Sequence, residues 1–168
     1  RTYTGTTAQD VTEFVIKNQN ALFCEIREQD RRSRDLTHLP AMPQYRTTRR
    51  IDGDYTLTVE DRYRHFDDSV SAICDFDNRD YLYEVPLRTL TRRGFDNLIT
   101  AGRCAAGEGY AWDILRVIPP AIVTGQAAGE AAALALDTQT PIWNVEISAL
   151  QQRLRDAGVM IHFDDTLI

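Results

Sequence analysis

A chain of 168 residues with 43% hydrophobic composition is long enough for one domain with a real core. Its formal charge of −6, its dispersed arginines and its single lysine, Lys17, argue against a surface that tracks nucleic-acid phosphates. No signal peptide is present, the longest apolar run (114–136) carries Arg116, Gln126 and Glu130, and Cys24, Cys74 and Cys104 form no zinc spacing, so a cytoplasmic protein with reduced thiols, no membrane span and no metal is expected.

The first element is a long amphipathic helix from about Thr7 to about Gln29. Thr7-Ala-Gln-Asp10 resembles a capping box, and Val11, Phe14, Val15, Leu22 and Ile26 recur at helical spacing. The charged run 28–35 reads as its solvated end. Residues 38–42 and 44–51 read as strands on either side of Pro43. Asp52-Gly53-Asp54 is a turn signal between β-prone residues, so residues 44–60 suggest a hairpin. Thr58-Val-Glu-Asp61 resembles a second helix cap, His65 to Asp68 reads as loop, and the acidic residues 75–80 read as a solvated loop. Tyr81 to Leu87 reads as a strand with Pro86 near an edge or bend.

Residues 97–135 form the stretch around which the chain is organised. Leu98 to Ala101 reads as a short apolar strand, and Gly102 follows as a turn that admits close approach to the backbone. A long helix of small residues comes next, with Pro119 and Pro120 in its first turn, where a missing N–H costs nothing. Its small face comprises Ala121, Gly125, Ala128, Gly129 and Ala132. Glycine inside a helix costs roughly 1 kcal/mol against alanine, so Gly125 and Gly129 call for close packing against a sheet or a cofactor. A final helix presents Ile147, Leu150, Leu154 and Ala157 on one face, and Gly158 stops it.

The run "NLITAGR" followed by "ILRVIPPAIVTGQAAGEAAALA" resembles the C-terminal flavin segment of FAD-dependent oxidoreductases of the glutathione-reductase-like superfamily, where "NLLVAGR" precedes "RVMPTCMALGQAAGTAAALA". A second block, "RTTRRIDGDYTLTVED" at 46–61, is similar to that family's "RESRRIVGEYTLTEED". Weaker similarity elsewhere extends the match over most of Thr6 to Gly158. The resemblance implies an α+β chain. Residues 1–80 would form a helix plus β-hairpin substrate or cap subdomain, and 81–168 the C-terminal strand and helix of a partial FAD-binding α/β domain. A flavin fingerprint G-x-G-x-x-G with its acidic partner is missing. Gly107-Glu-Gly109 lacks the third glycine and, by this reading, a following helix, so the N-terminal Rossmann half is absent.

By the same resemblance, Gly102 and Arg103 lie by the ribityl and pyrophosphate part of FAD, and Arg116 to Pro120, including Val117 and Pro119, approach the pyrimidine side of the ring. Gly125 and Gln126 complete the expected cofactor contacts. Arg46 and Arg50, sharing one face of a strand, are candidate carboxylate holders for a small organic substrate. No catalytic residue is assigned. His38 and His65 read as polar loop residues without a partner at a recognisable spacing, and Cys104 as a small buried thiol. Since the chain opens on Arg1, not methionine, it reads as a piece of a longer polypeptide, inactive by itself and weak in FAD binding. Its partner would be its own N-terminal half, whose absence exposes an apolar face suited to homodimers. The alternative is a non-catalytic stand-alone interaction or scaffold domain that keeps a flavoprotein-like packing motif.

Overall fold

The structure, a computed structural model, describes residues 1–39 and 42–168. Its chain forms two compact units, 1–49 and 50–168, which part at a different point from the boundary at residue 80 read from sequence. The strand expected at 38–42 lies partly outside the described residues.

In the first unit, α1 spans Ala8–Glu28, within one residue of expectation. Thr7 caps it by accepting the Asp10 N–H at 3.2 Å. The reciprocal half of a capping box is not made, because the buried Asp10 carboxylate is taken by the N–H groups of Thr4 (2.6 Å) and Gly5 (2.8 Å). Val11, Phe14, Val15, Leu22 and Ile26 are the half-buried stripe of α1. Phe14 meets both Tyr3 and Tyr45 at ring distances of 5.4 and 5.1 Å. Gly5, at φ +69°, lies flat against the Tyr45 ring, where a Cβ would come within 2.4 Å of it. No strand forms over 44–49. This segment follows the aromatic contacts of Tyr45 and not a ladder, so the expected hairpin is absent.

The second unit is built on an antiparallel pair, β1 (Ser69–Cys74) and β2 (Leu82–Pro86), with an irregularity between Ser69 and Ser71. Pro86 ends β2 without interrupting it, in keeping with its missing N–H. Three helices complete the unit: α2 (Gly109–Leu115), α3 (Ile118–Thr138) and α4 (Ile147–Asp156). Both α3 and α4 pack on β1 and on each other. Leu57, Val70, Val85, Leu90, Ile114, Leu115, Leu150 and Leu154 are fully buried between them. Ala157, expected on the buried face of α4, is exposed at its C-cap, and Gly158 ends the helix at φ +81°.

Three expectations from sequence are corrected here. The strand read at Leu98 to Ala101 is a single antiparallel bridge between Ile99 and Thr91, because the Thr100 N–H goes to the Leu90 carbonyl and no further ladder follows. The helix said not to follow Gly107-Glu-Gly109 does follow it, as α2. Asp52 to Asp54 is no hairpin turn but a bend whose Gly53 lies against other backbone. A Cβ there would come 2.8 Å from both the Ala106 Cβ and the Arg88 carbonyl.

Hydrogen bonds from the Gly5 and Thr4 amides hold the Asp10 carboxyl below its usual range. An unfolded chain then binds the proton more readily than the folded one, so this contribution is full above the ordinary aspartate value, ~3.9, and is lost as pH falls through the lowered folded value. Exchange protection of the Thr4 and Gly5 amides should therefore collapse on acidification below that range, as read by NMR. In Asp10→Asn the protection should be weak at every pH.

Candidate functional site

Around the flavin-like segment the local structure is set by three hydrogen bonds. Gly102 sits at φ +56°, where its absent Cβ would lie 3.0 Å from the Ala121 Cβ. Its buried N–H donates to the Thr124 hydroxyl at 2.9 Å. Thr124 in turn donates to the Pro120 carbonyl at 2.6 Å. The glycine turn is thus tied to the first turn of α3 by one fully buried hydroxyl. On the next residue, the Arg103 carbonyl accepts the Trp112 indole N–H at 2.9 Å, which joins the turn to α2.

The buried face of α3 is Pro120, Thr124, Ala127, Ala131 and Leu134. Ala121, Ala128 and Ala132 are half-buried, whereas Gly125, Gln126 and Gly129 are exposed. Among the described residues, a Cβ on Gly125 or Gly129 would meet nothing within 4 Å, so their packing does not require either glycine. Ile118, Ile122 and Leu136 are exposed on the same helix, at 76, 63 and 81%. Val117 caps α3 with no side-chain acceptor. Pro119 and Pro120 carry no N–H, so the first turn offers little donor capacity beyond its dipole. Beside it, Val117, Pro119, Pro120 and Val123 join Ala72, Ile73, Cys74 and Phe76 of the β1 end around an apolar cavity of about 270 Å³.

Of the expected site residues, Gly102, Val117, Pro119, Gly125 and Gln126 lie on or beside α3, and Arg103 is exposed on the turn. Arg116 spends its Nε on Asp113 at 2.7 Å. Arg46 and Arg50 share no strand face, because no strand forms there, and they belong to different compact units. Arg46 donates to the Gln44 side chain at 2.7 Å, while Arg50 donates to the Ile51 carbonyl and lies 5.9 Å over the Trp112 ring. Cys104 is exposed, not buried as expected, because it sits on the outer side of the turn. Cys24 and Cys74 are exposed as well.

Several polar groups escape a linear reading. Asp75, placed by sequence in a solvated loop, is buried. Burial by itself would raise its carboxyl, but the N–H groups of Asp77 and Asn78 and the hydroxyl of Tyr110 hold it below the usual range. Burial raises the Tyr110 phenol, and its bond to Asp75 (2.8 Å) adds to that. The Tyr55 phenol is pushed up to about 12 by burial and then by Asp61, which accepts its proton at 2.5 Å.

His65 is far from partnerless. Its Nδ1 lies 2.6 Å from Oε1 of Glu84, and its Nε2 2.8 Å from Asp165. The Asp165 contact, then that of Glu84, raises the imidazole above its ordinary value. His162 places its own Nδ1 2.9 Å from the same Glu84 oxygen. Separations of 19 and 78 residues hide this group from any local motif.

The sequence pattern of the FAD-dependent oxidoreductases matches residues 3–154. The chain belongs to that family, whose members are flavin-dependent oxidoreductases. No curated protein and no solved structure matches it. No helix among the described residues is long and apolar enough to cross a membrane.

Because the Gly102 turn depends on a positive φ and a buried acceptor, two substitutions should weaken it. Gly102→Ala should cost about 1–3 kcal/mol through backbone strain and the Ala121 contact. Thr124→Val, which strands the Gly102 N–H, should cost a similar ~1–3 kcal/mol. Urea denaturation of both variants checks this.

Proposed function

We propose that this chain is the C-terminal part of a flavin-dependent oxidoreductase of the glutathione-reductase-like kind. In the intact enzyme, residues 81–168 would close the flavin domain and the first 80 residues would contribute to a substrate or cap region. The family match over residues 3–154 carries this reading. The absence of a three-glycine fingerprint from the sequence supports a division in which an N-terminal Rossmann half holds the ADP end. Three exposed cysteines are in keeping with a reducing, cytoplasmic setting.

The open face of α3 fits the group this family uses. Gly125 and Gly129 leave backbone bare where nothing among the described residues approaches, as a closely seated planar ligand or a packed neighbouring half requires. When bound, FAD would supply the hydride-accepting chemistry. Gly102 and Arg103 would hold the ribityl and pyrophosphate side, with Val117, Pro119, Gly125 and Gln126 along the ring side. The positive end of α3 would favour negative charge near the ring. Arg116, held by Asp113, would add a fixed positive charge beside it. Arg46 and Arg50 would serve an acidic substrate only if the intact enzyme brings both to one cavity. Alone, the chain should be inactive and colourless, and its exposed α3 face should drive self-association.

Substitution of Gly125 separates a functional glycine from an idle one. In this chain alone, Gly125→Ala should raise stability by up to roughly 1 kcal/mol, since nothing is displaced and helix propensity improves. In the full-length enzyme, a bulkier Gly125→Leu should lower the FAD content of the purified protein at least tenfold. Full FAD retention by that variant, read from flavin absorbance, would remove α3 from the cofactor site. Low-micromolar FAD binding by the 168-residue chain, measured by flavin fluorescence quenching, would overturn the need for the other half.

A further inference from the structure

We propose that His65, Glu84 and His162 form a binding site for a divalent transition-metal ion, with Zn²⁺ the natural probe, that fastens the C-terminal segment to the β1–β2 pair. Among the described residues these three offer one ligand atom each, all within 4.8 Å of one another. The site is independent of the flavin reading.

The geometry gathers three ligand atoms at this place. Glu84 has no exposed surface, and its Oε2 already accepts the Phe66 N–H at 2.7 Å. Its Oε1 faces two imidazole Nδ1 atoms at once. Asp165 accepts from the other nitrogen of His65, which leaves Nδ1 facing the Glu84 carboxylate. A bound metal would take one lone pair from each Nδ1 and one from Glu84 Oε1, the three ligand atoms that lie within 4.8 Å of one another.

Geometry and second contacts agree. Zn–N and Zn–O bonds of about 2.0–2.2 Å in a tetrahedral arrangement separate ligand atoms by roughly 3.3 Å, so each histidine ring needs to retreat from Glu84 by less than about 1 Å. The Asp165 contact to His65 is the carboxylate that commonly orients a metal-bound imidazole. Both histidines stand next to buried anchors: Phe66 beside His65, Ile161 and Phe163 on either side of His162. His65 also stacks on Phe163 at 4.3 Å. Because the two histidine side chains remain 43 and 39% exposed, the ion has a route in from solvent and a fourth position for water. One carboxylate ligand and one supporting carboxylate balance a doubly charged ion. The mixed imidazole and carboxylate set suits zinc and its neighbours and disfavours magnesium or calcium.

The test is calorimetric titration of the untagged, EDTA-treated 168-residue chain with ZnCl2, beside His162→Ala, Asp165→Asn and Glu84→Gln. Far-ultraviolet circular dichroism establishes that each variant is folded. The expected result is one ion per chain with a Kd below about 10 μM and a rise in Tm on zinc addition. His162→Ala should abolish both, and Asp165→Asn should weaken binding at least tenfold. If Glu84→Gln unfolds, the other two variants still decide the matter, because both alter the C-terminal segment and not the sheet. Equal zinc affinity in wild type and His162→Ala, with loss only on mutating the exposed cysteines, would overturn the site. So would a wild-type chain that binds no zinc at 100 μM.

Discussion

Seating of α3 on β1 is the constraint on which the second unit depends. The helix can lie close because its inner face is Thr124, Ala127 and Ala131, residues small enough to bring one backbone near another. That proximity puts the Thr124 hydroxyl within reach of the Gly102 N–H, and so fixes a left-handed turn that is strained for any other residue. The turn then sets where the chain enters α2, through the Trp112 bond to the Arg103 carbonyl. A single apolar contact surface thus decides the path of the chain from Gly102 into α2.

The outer face of α3 obeys a different logic. Its two glycines lower helix propensity and gain no packing among the described residues, and its isoleucines and Leu136 stand in water. In a membership-defined family of flavoenzymes such a face makes physical sense as a surface built for contact with something outside the chain. The inner face serves the fold, and the outer face is the one proposed to meet the cofactor or the other half of the enzyme.

Polar burial in this unit is concentrated and well partnered. Glu84, Asp75 and Asp61 are all buried, and each carboxylate is met by backbone N–H groups as well as by side chains. Gln151 bridges the carbonyls of Asp67 and Ser69, which closes the irregular end of β1. These bonds join segments far apart in the chain, so they hold loops that have no ladder of their own.

Much of the local structure was legible in the sequence. Helical periodicity and caps located α1 and α4 to within a residue or two and the paired prolines marked the start of α3, since those signals reside in neighbours three and four positions apart. Alternation located β2. Blocks of sequence identified the family. Periodicity could not tell which face of α3 is buried, because an all-small helix has no strong amphipathic contrast and only the position of β1 breaks the tie. It also suggested strands at 44–51 and 98–101, where β-prone residues exist but no partner strand is placed to accept their hydrogen bonds. The grouping of His65, Glu84 and His162 was beyond any linear reading. Hydrogen-bond partners at separations of 19 to 100 residues are chosen by how the core packs, and sequence spacing carries no trace of them.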